Sequence, residues 1–193
     1  SYLPPQSMVL RTWCPGKGTR YGNAIVIDAD EGILVTCAHV VSIEPGPDDY
    51  VFYHVNMGDE WRAVSVRSEW MSSKYDIAFL KIHDYGISDR MNLAVWPLAK
   101  KNPEKNVKCR LQGYQFISAG GEFVYFEDVQ LITRDHIGKS LGRPESKHFR
   151  KGGILCAIQP DPPVTDWRGF SGSPVSTPDG TLIGMVATAS IST

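Results

Sequence analysis

The sequence predicts an all-β protein built from two halves of similar size. Short runs rich in β-branched and aromatic residues follow one another along the chain, among them NAIVID, GILVTCA, YVFYHV and FVYFEDVQLIT. Clusters of Gly, Pro, Asn and Asp separate these runs, as expected for turns between strands. No segment shows helical periodicity over more than about three turns. Many short strands joined by turns are typical of a β-sandwich or a β-barrel.

A stretch of different composition separates the two series of strands. The sequence NLAVWPLAKKNPEKN, residues 92–106, combines prolines with lysines and is typical of a connector. We therefore predict an N-terminal domain over residues 8–92 and a C-terminal domain over residues 107–193, joined by a connector over residues 93–106.

The composition excludes several classes of protein. The chain has 193 residues, of which 42% are hydrophobic, and its formal net charge is −1. This apolar content is enough for a buried core, and it is too high for a disordered chain. A nucleic-acid partner is not expected, because such proteins usually carry a basic excess. The longest apolar runs have the length of strands, so we expect no membrane-spanning helix.

The four cysteines predict no metal or redox site. Cys14, Cys37, Cys109 and Cys156 form no CxxC pair, and we predict neither a metal nor another cofactor. Three of the four lie in apolar, strand-like runs, which favours buried free thiols over disulfides. Free thiols are typical of a reducing intracellular compartment, such as the cytoplasm. A secreted protein whose signal peptide has been removed is the alternative.

Three short motifs carry side chains that can perform nucleophilic chemistry. TCAHV, residues 36–40, ends a strand-like run, and YDIAFLKI, residues 75–82, begins another. GFSGSP, residues 169–174, places Ser171 in a glycine-containing loop. A serine hydroxyl is a weak nucleophile near neutral pH, so it needs a base such as histidine to accept its proton. A carboxylate can in turn hold the imidazole in the correct tautomer.

With these motifs, the sequence resembles the chymotrypsin/trypsin clan of serine peptidases, closest to its disulfide-poor intracellular and stress-protease branches. The resemblance extends from about Val9 to Ser190 and includes the clan's order of His, Asp and Ser. It implies two antiparallel six-stranded β-barrels with the active site in the cleft between them. It also implies that His39, Asp76 and Ser171 are the catalytic triad, and that the N–H groups of Gly169 and Ser171 form the oxyanion hole. The implied activity is hydrolysis of peptide bonds in polypeptide substrates through an acyl-enzyme.

Two positions depart from the secreted trypsins. Phe170 stands where they carry the aspartate that receives the new N-terminus after zymogen cleavage, and Val40 stands where they carry a bridged cysteine. We therefore expect no activation by N-terminal trimming. The enzyme would be constitutively active, or controlled by loop ordering, by a partner protein or by a fused domain.

The resemblance places the substrate-binding residues in the loop before Ser171 and in the strand VATAS. Thr165 replaces the aspartate at the base of a trypsin pocket, and Ala189 adds a methyl group to its wall, so a small or medium side chain is expected there. Ala187 also replaces a serine that supports the aspartate in many relatives. The predicted set is Thr165, Asp166, Arg168, Ala187, Thr188 and Ala189.

Other functions are compatible with parts of this pattern. An α/β-hydrolase elbow would read G-x-S-x-G before a helix, but Ser173 occupies the last glycine position and Pro174 follows. A catalytically idle binding module within a larger protein would keep the cleft without turnover. A non-enzymatic β-barrel scaffold and an esterase on the same fold are further alternatives.

Overall fold

A computed structural model describes residues 7–58, 60–101, 108–115, 122–132, 157–159 and 169–187. Strands dominate these ranges and the two helices are single turns, so the described residues are mostly β, where the sequence predicted an all-β chain. The elements are β1 (Ser7–Cys14), β2 (Gly18–Asp28), β3 (Ile33–Thr36), α1 (Ala38–Val41), β4 (Phe52–Asn56), β5 (Trp61–Ser72), β6 (Ile77–Ile82), α2 (Ile87–Arg90), β7 (Lys108–Gln115), β8 (Glu122–Ile132), β9 (Ala157–Gln159), β10 (Pro174–Ser176) and β11 (Leu182–Met185). None of the helices in these ranges is long and apolar enough to cross a membrane.

The first six strands form a closed antiparallel barrel in the order β1-β2-β3-β6-β5-β4. Alternation of side chains produces its core: in β6, Ala78, Leu80 and Ile82 are buried, whereas Phe79 points outward. Burial of such aliphatic side chains stabilises the barrel by about 1.5–3 kcal/mol for each large one.

Strand register within the barrel brings two of the motifs together. β3 and β6 are neighbours, and Thr36 pairs with Ala78. His39 follows β3 within α1, and Asp76 immediately precedes β6. Because antiparallel partners end and begin at the same edge of a sheet, both side chains lie at one end of the barrel.

The second half differs from the predicted six-stranded barrel. Its described strands form a five-stranded sheet in the order β11-β10-β7-β8-β9, and this sheet is not closed. A second barrel is therefore not shown within the described residues. β7 and β8 form its longest pairing, from Lys108 opposite Gln130 to Gln115 opposite Glu122.

The described part of the predicted connector packs against both halves of the molecule. Trp96 is buried with Ile25 of β2 and Leu182 of β11. Leu98 forms a parallel bridge with Leu182, and the Ala99 N–H donates to the Leu182 carbonyl at 2.9 Å. The sequence indicated a linker here, but the Trp96 side chain also joins the barrel to the second sheet.

Three of the four cysteines are buried thiols outside any disulfide, as predicted. Cys14, Cys37 and Cys109 form no disulfide and are fully shielded from solvent. Cys156 lies outside the described residues.

An ion pair fastens α2 to the barrel. The Arg62 guanidinium donates to the Asp89 carboxylate at 2.8 Å, and both side chains are mostly buried. The Gly86 N–H also donates to Asp89 at 2.9 Å. Both hydrogen bonds lower the pKa of the Asp89 carboxyl, and the one from the Arg62 guanidinium has the larger effect.

This ion pair predicts a pH-dependent contribution to stability. Because the folded-state pKa of Asp89 is lowered, the contribution is complete above the unfolded pKa of about 3.9 and disappears as the pH falls through the folded value. Asp89→Asn should reduce the free energy of unfolding at pH 7 by about 1 kcal/mol. Denaturant titrations of both proteins across the acid range test this. A difference that stayed constant down to pH 2 would contradict the assignment.

Candidate active site

His39 lies between the two other candidate catalytic side chains. Its Nδ1 is 2.7 Å from Asp76 Oδ2, and its Nε2 is 2.9 Å from Ser171 Oγ. The Asp76 carboxylate is almost fully buried, whereas 43% of the His39 side chain is exposed. One edge of the imidazole thus contacts a buried carboxylate, and the other contacts a hydroxyl at the surface of the site.

Asp76 is held in an unusual backbone conformation. Its φ angle is 55°, in the left-handed region, which costs a non-glycine residue about 1–2 kcal/mol. The Ala38 N–H donates to the Asp76 carbonyl at 3.1 Å, and the His39 N–H donates to Asp76 Oδ1 at 2.9 Å. Asp76 therefore binds the start of α1 through both its main chain and its side chain. Strain of this kind is often found where a fold positions functional groups.

The loop that carries Ser171 requires glycine at two positions. Gly169 and Gly172 have φ angles of 86° and 90°. A Cβ added at Gly172 would lie 1.9 Å from the Asn23 carbonyl oxygen, so no side chain fits there. The Gly172 N–H donates to the Val186 carbonyl at 2.8 Å, which connects the loop to the chain after β11.

Phe170 fills the position beside Ser171 with an apolar ring. Its side chain is completely buried. The Ser173 N–H donates to the Phe170 carbonyl at 2.9 Å and closes a tight turn around Ser171. Packing and main-chain hydrogen bonds thus take the place of a buried charge at this position.

Cys37 lies beside His39 and Asp76. Within the described residues, these three are the one group whose ligand atoms could together hold a metal ion. The three candidate ligand atoms, one from each residue, lie within 4.8 Å of one another. Burial, and then the nearby Asp76 carboxylate, raise the pKa of the Cys37 thiol strongly. The protonated thiol donates to the Val186 carbonyl at 3.1 Å. Since a cysteine binds metal as its thiolate, this environment disfavours both metal binding and a nucleophilic role for Cys37.

Of the predicted substrate-binding residues, the described ranges contain Ala187. Its carbonyl oxygen lies 3.3 Å from Ser171 Oγ, and its side chain packs against the core of the first barrel. The other five lie outside the described residues: Thr165, Asp166, Arg168, Thr188 and Ala189.

Asn23, which none of the sequence motifs indicated, is completely buried in β2. Its side chain donates to the Gly169 carbonyl at 2.8 Å, and its N–H donates to the Ser171 carbonyl at 2.7 Å. The signal that could have found it is a polar residue directly before the apolar run AIVI, residues 24–27. A buried polar side chain needs partners, and here they include the Ser171 loop.

Comparison with known proteins identifies the family. The family profile of the trypsin-like peptidase domain matches residues 22–185. This chain belongs to the trypsin-like peptidases. The match spans both halves of this trypsin-like peptidase and includes the positions of all three candidate catalytic residues.

Solved structures share the fold of this trypsin-like peptidase at low sequence identity. The active form of the Rv3671c protease from M. tuberculosis is 19% identical, with a TM-score of 0.65, and the match covers 97% of this chain and 71% of that one. An HL collagenase is 18% identical, with a TM-score of 0.63 and coverage of 96% and 82%. Kallikrein-related peptidase 10 is 14% identical, with a TM-score of 0.59 and coverage of 93% and 80%. A search of curated protein sequences gives no significant match.

Proposed function

We propose that this trypsin-like peptidase is a serine endopeptidase that uses Ser171, His39 and Asp76 as a catalytic triad. The observation that supports the proposal is an unbroken line of hydrogen-bonding contacts, 2.9 Å from Ser171 Oγ to His39 Nε2 and 2.7 Å from His39 Nδ1 to Asp76 Oδ2. These separations are within the range in which a base can accept the proton of a nucleophile.

The proposed reaction has two stages. Ser171 Oγ attacks the carbonyl carbon of the scissile peptide while His39 Nε2 accepts the hydroxyl proton. The resulting imidazolium gives that proton to the leaving amine as the C–N bond breaks, which leaves the acyl group on Ser171. Water then attacks the ester with the same base, and the proton returns to Ser171 as the acid is released.

In this scheme, Asp76 orients the His39 imidazole and stabilises its protonated form. Its Oδ2 faces His39 Nδ1, so the imidazole proton resides on Nδ1 and Nε2 is left as the base. Its Oδ1 accepts the His39 N–H at 2.9 Å, which fixes the carboxylate relative to the main chain that carries the imidazole. The buried carboxylate stabilises the imidazolium that forms during attack.

The N–H groups of Gly169 and Ser171 are the proposed oxyanion hole. Among the described residues, no main-chain carbonyl accepts a hydrogen bond from either N–H. In the proposed arrangement, both donors face the oxygen of the substrate carbonyl, on which negative charge develops. One such donor is typically worth about 3–4 kcal/mol in the transition state.

We further propose that the second sheet is part of a second six-stranded barrel, with residues 8–92 and 107–193 on opposite sides of a substrate cleft. The substrate is a polypeptide whose side chain before the scissile bond is small or medium. Thr165, Asp166, Arg168, Ala187, Thr188 and Ala189 would bind it. A partner protein or a fused domain is the proposed regulator.

A fluorophosphonate probe tests the proposed function, because only an activated serine reacts with it quickly. We expect rapid labelling, with the adduct on Ser171 in a mass-spectrometric peptide map. Ser173→Ala is the matched control: Ser173 lies two residues away, is completely buried, and its hydroxyl has no hydrogen-bond partner among the described residues. This variant should be labelled like the wild type. No labelling of the folded wild-type protein would contradict the proposal and favour an idle binding module.

A further inference from the structure

Asn23 has a side chain whose hydrogen-bonding capacity is fully used at the junction of the two halves. An asparagine amide offers two N–H donors and two acceptor lone pairs. Nδ2 donates to the carbonyls of Tyr114 and Gly169 at 3.0 and 2.8 Å. Oδ1 accepts from Ser7 Oγ at 2.9 Å and from the Tyr114 N–H at 2.8 Å. Neither an aspartate nor an aliphatic residue of similar size could form this set.

The main chain of Asn23 also contacts the residue that carries the candidate nucleophile. Its N–H donates to the Ser171 carbonyl at 2.7 Å, and its carbonyl accepts the Thr36 hydroxyl at 2.7 Å. A single buried residue thus holds the carbonyls of both Gly169 and Ser171. These are the two residues whose N–H groups are the candidate oxyanion donors.

Within the described part of the chain, the group that donates to the Gly169 carbonyl is the Asn23 side chain. Gly169 has no side chain and a φ of 86°, so rotation about its backbone bonds is easier than at any other residue type. Phe170 carries no charge through which an ion pair could anchor the loop. A hydrogen bond to the Gly169 carbonyl restricts this rotation and therefore restricts where the Gly169 N–H points.

We propose that the Asn23 side chain is a positioning residue, which holds Gly169 so that its N–H faces the oxygen of the reacting carbonyl. This inference rests on the proposed serine peptidase activity and adds a determinant of the oxyanion hole on the first barrel. Asn23 does not touch the substrate in this scheme; it acts through the Gly169 carbonyl.

Asn23→Asp and Asn23→Leu test the inference, because both keep the approximate size of the side chain and remove the donor to Gly169. In Asn23→Asp, a carboxylate oxygen would face the carbonyls of Gly169 and Tyr114, which repels both. We expect kcat to fall by about 10- to 100-fold, somewhat less than the 10² to 10³ typical when an oxyanion donor is deleted. KM should stay near the wild-type value, because ground-state binding uses other contacts.

A second readout separates positioning from a structural role. A peptide trifluoromethyl ketone forms a tetrahedral adduct with the serine and should bind the Asn23 variants more weakly, by about the factor lost in kcat/KM. The product peptide from the amine side of the cleaved bond carries no oxygen for the oxyanion hole, so it should bind them like the wild type. Ser7→Ala is the matched control, since it removes a buried hydrogen bond to Asn23 but leaves both Nδ2 bonds in place. It should keep the wild-type kcat and ketone affinity.

The outcomes distinguish the inference from the proposed function. If the wild type labels at Ser171 but Asn23→Asp keeps its kcat and ketone affinity, the positioning role is wrong and the proposed function stands. An equal loss in Ser7→Ala would also overturn the positioning role. Failure of the wild type to label would overturn both.

If neither Asn23 variant folds, an NMR measurement on the wild-type protein tests the positioning role instead. With ¹⁵N-labelled asparagine, the Asn23 amide signals should exchange slowly with water and shift when the ketone adduct forms. Signals that exchange rapidly or do not respond to the adduct would overturn the inference.

Discussion

Ser171→Ala is expected to lower the turnover of peptide substrates by about 10⁶-fold while the protein stays folded. The variant removes the oxygen that lies 2.9 Å from His39 Nε2, so no acyl-enzyme can form. The main-chain contacts of the loop, including the bond from the Asn23 N–H to the Ser171 carbonyl, do not depend on the hydroxyl. Stability should therefore change little.

Steady-state hydrolysis of a fluorogenic peptide library, with thermal unfolding measured in parallel, checks this expectation. The library also reveals which side chain is accepted before the cleaved bond. Ser173→Ala should retain activity, which controls for the loss of a hydroxyl within the same loop. Near-normal hydrolysis by a folded Ser171→Ala variant would show that another group is the nucleophile.

Asp76→Asn should lower turnover by about 10⁴-fold without unfolding the protein, because it favours the wrong imidazole tautomer. Asp76 Oδ1 accepts the His39 N–H at 2.9 Å, so the oxygen of the new amide must remain at that position. The amide nitrogen then faces His39 Nδ1 and donates to it. The imidazole proton is displaced to Nε2, which can no longer accept the proton of Ser171.

The measurement is kcat at several pH values, together with the low-field proton NMR signal of the His39–Asp76 hydrogen bond, which should be lost. Asp89→Asn provides the matched control, because it makes the same chemical change at an acid that contacts Arg62 rather than His39. It should keep its activity at neutral pH. A loss of less than about tenfold in Asp76→Asn would mean that another group orients His39.

Local sequence patterns were sufficient to predict the mostly-β class of the chain. Strands such as β6 alternate buried and exposed side chains because successive residues point to opposite faces of a sheet. The second sheet was less predictable, since its order β11-β10-β7-β8-β9 depends on pairings between distant segments. The connector shows the same limit: Trp96 and Leu98 lie in a proline- and lysine-containing stretch, yet Trp96 is buried between the two halves and the main chain of Leu98 pairs with Leu182.

The sequence by itself determined which side chains are candidates for chemistry. His39, Asp76 and Ser171 each lie in a short motif, and the family match over residues 22–185 includes all three. The proximity of the three side chains follows from strand register and from the fold that joins the two halves. Their roles in catalysis stay predictions until the variants are measured.

Only the tertiary structure revealed Asn23 as part of the candidate site. Its side-chain partners Tyr114 and Gly169 are 91 and 146 residues away along the chain. A local pattern records helical or strand periodicity over a few residues, but it carries no information about which distant carbonyls will surround a buried amide. That choice is made by the packing of the first barrel against the second sheet, where each buried polar group must find a hydrogen-bond partner.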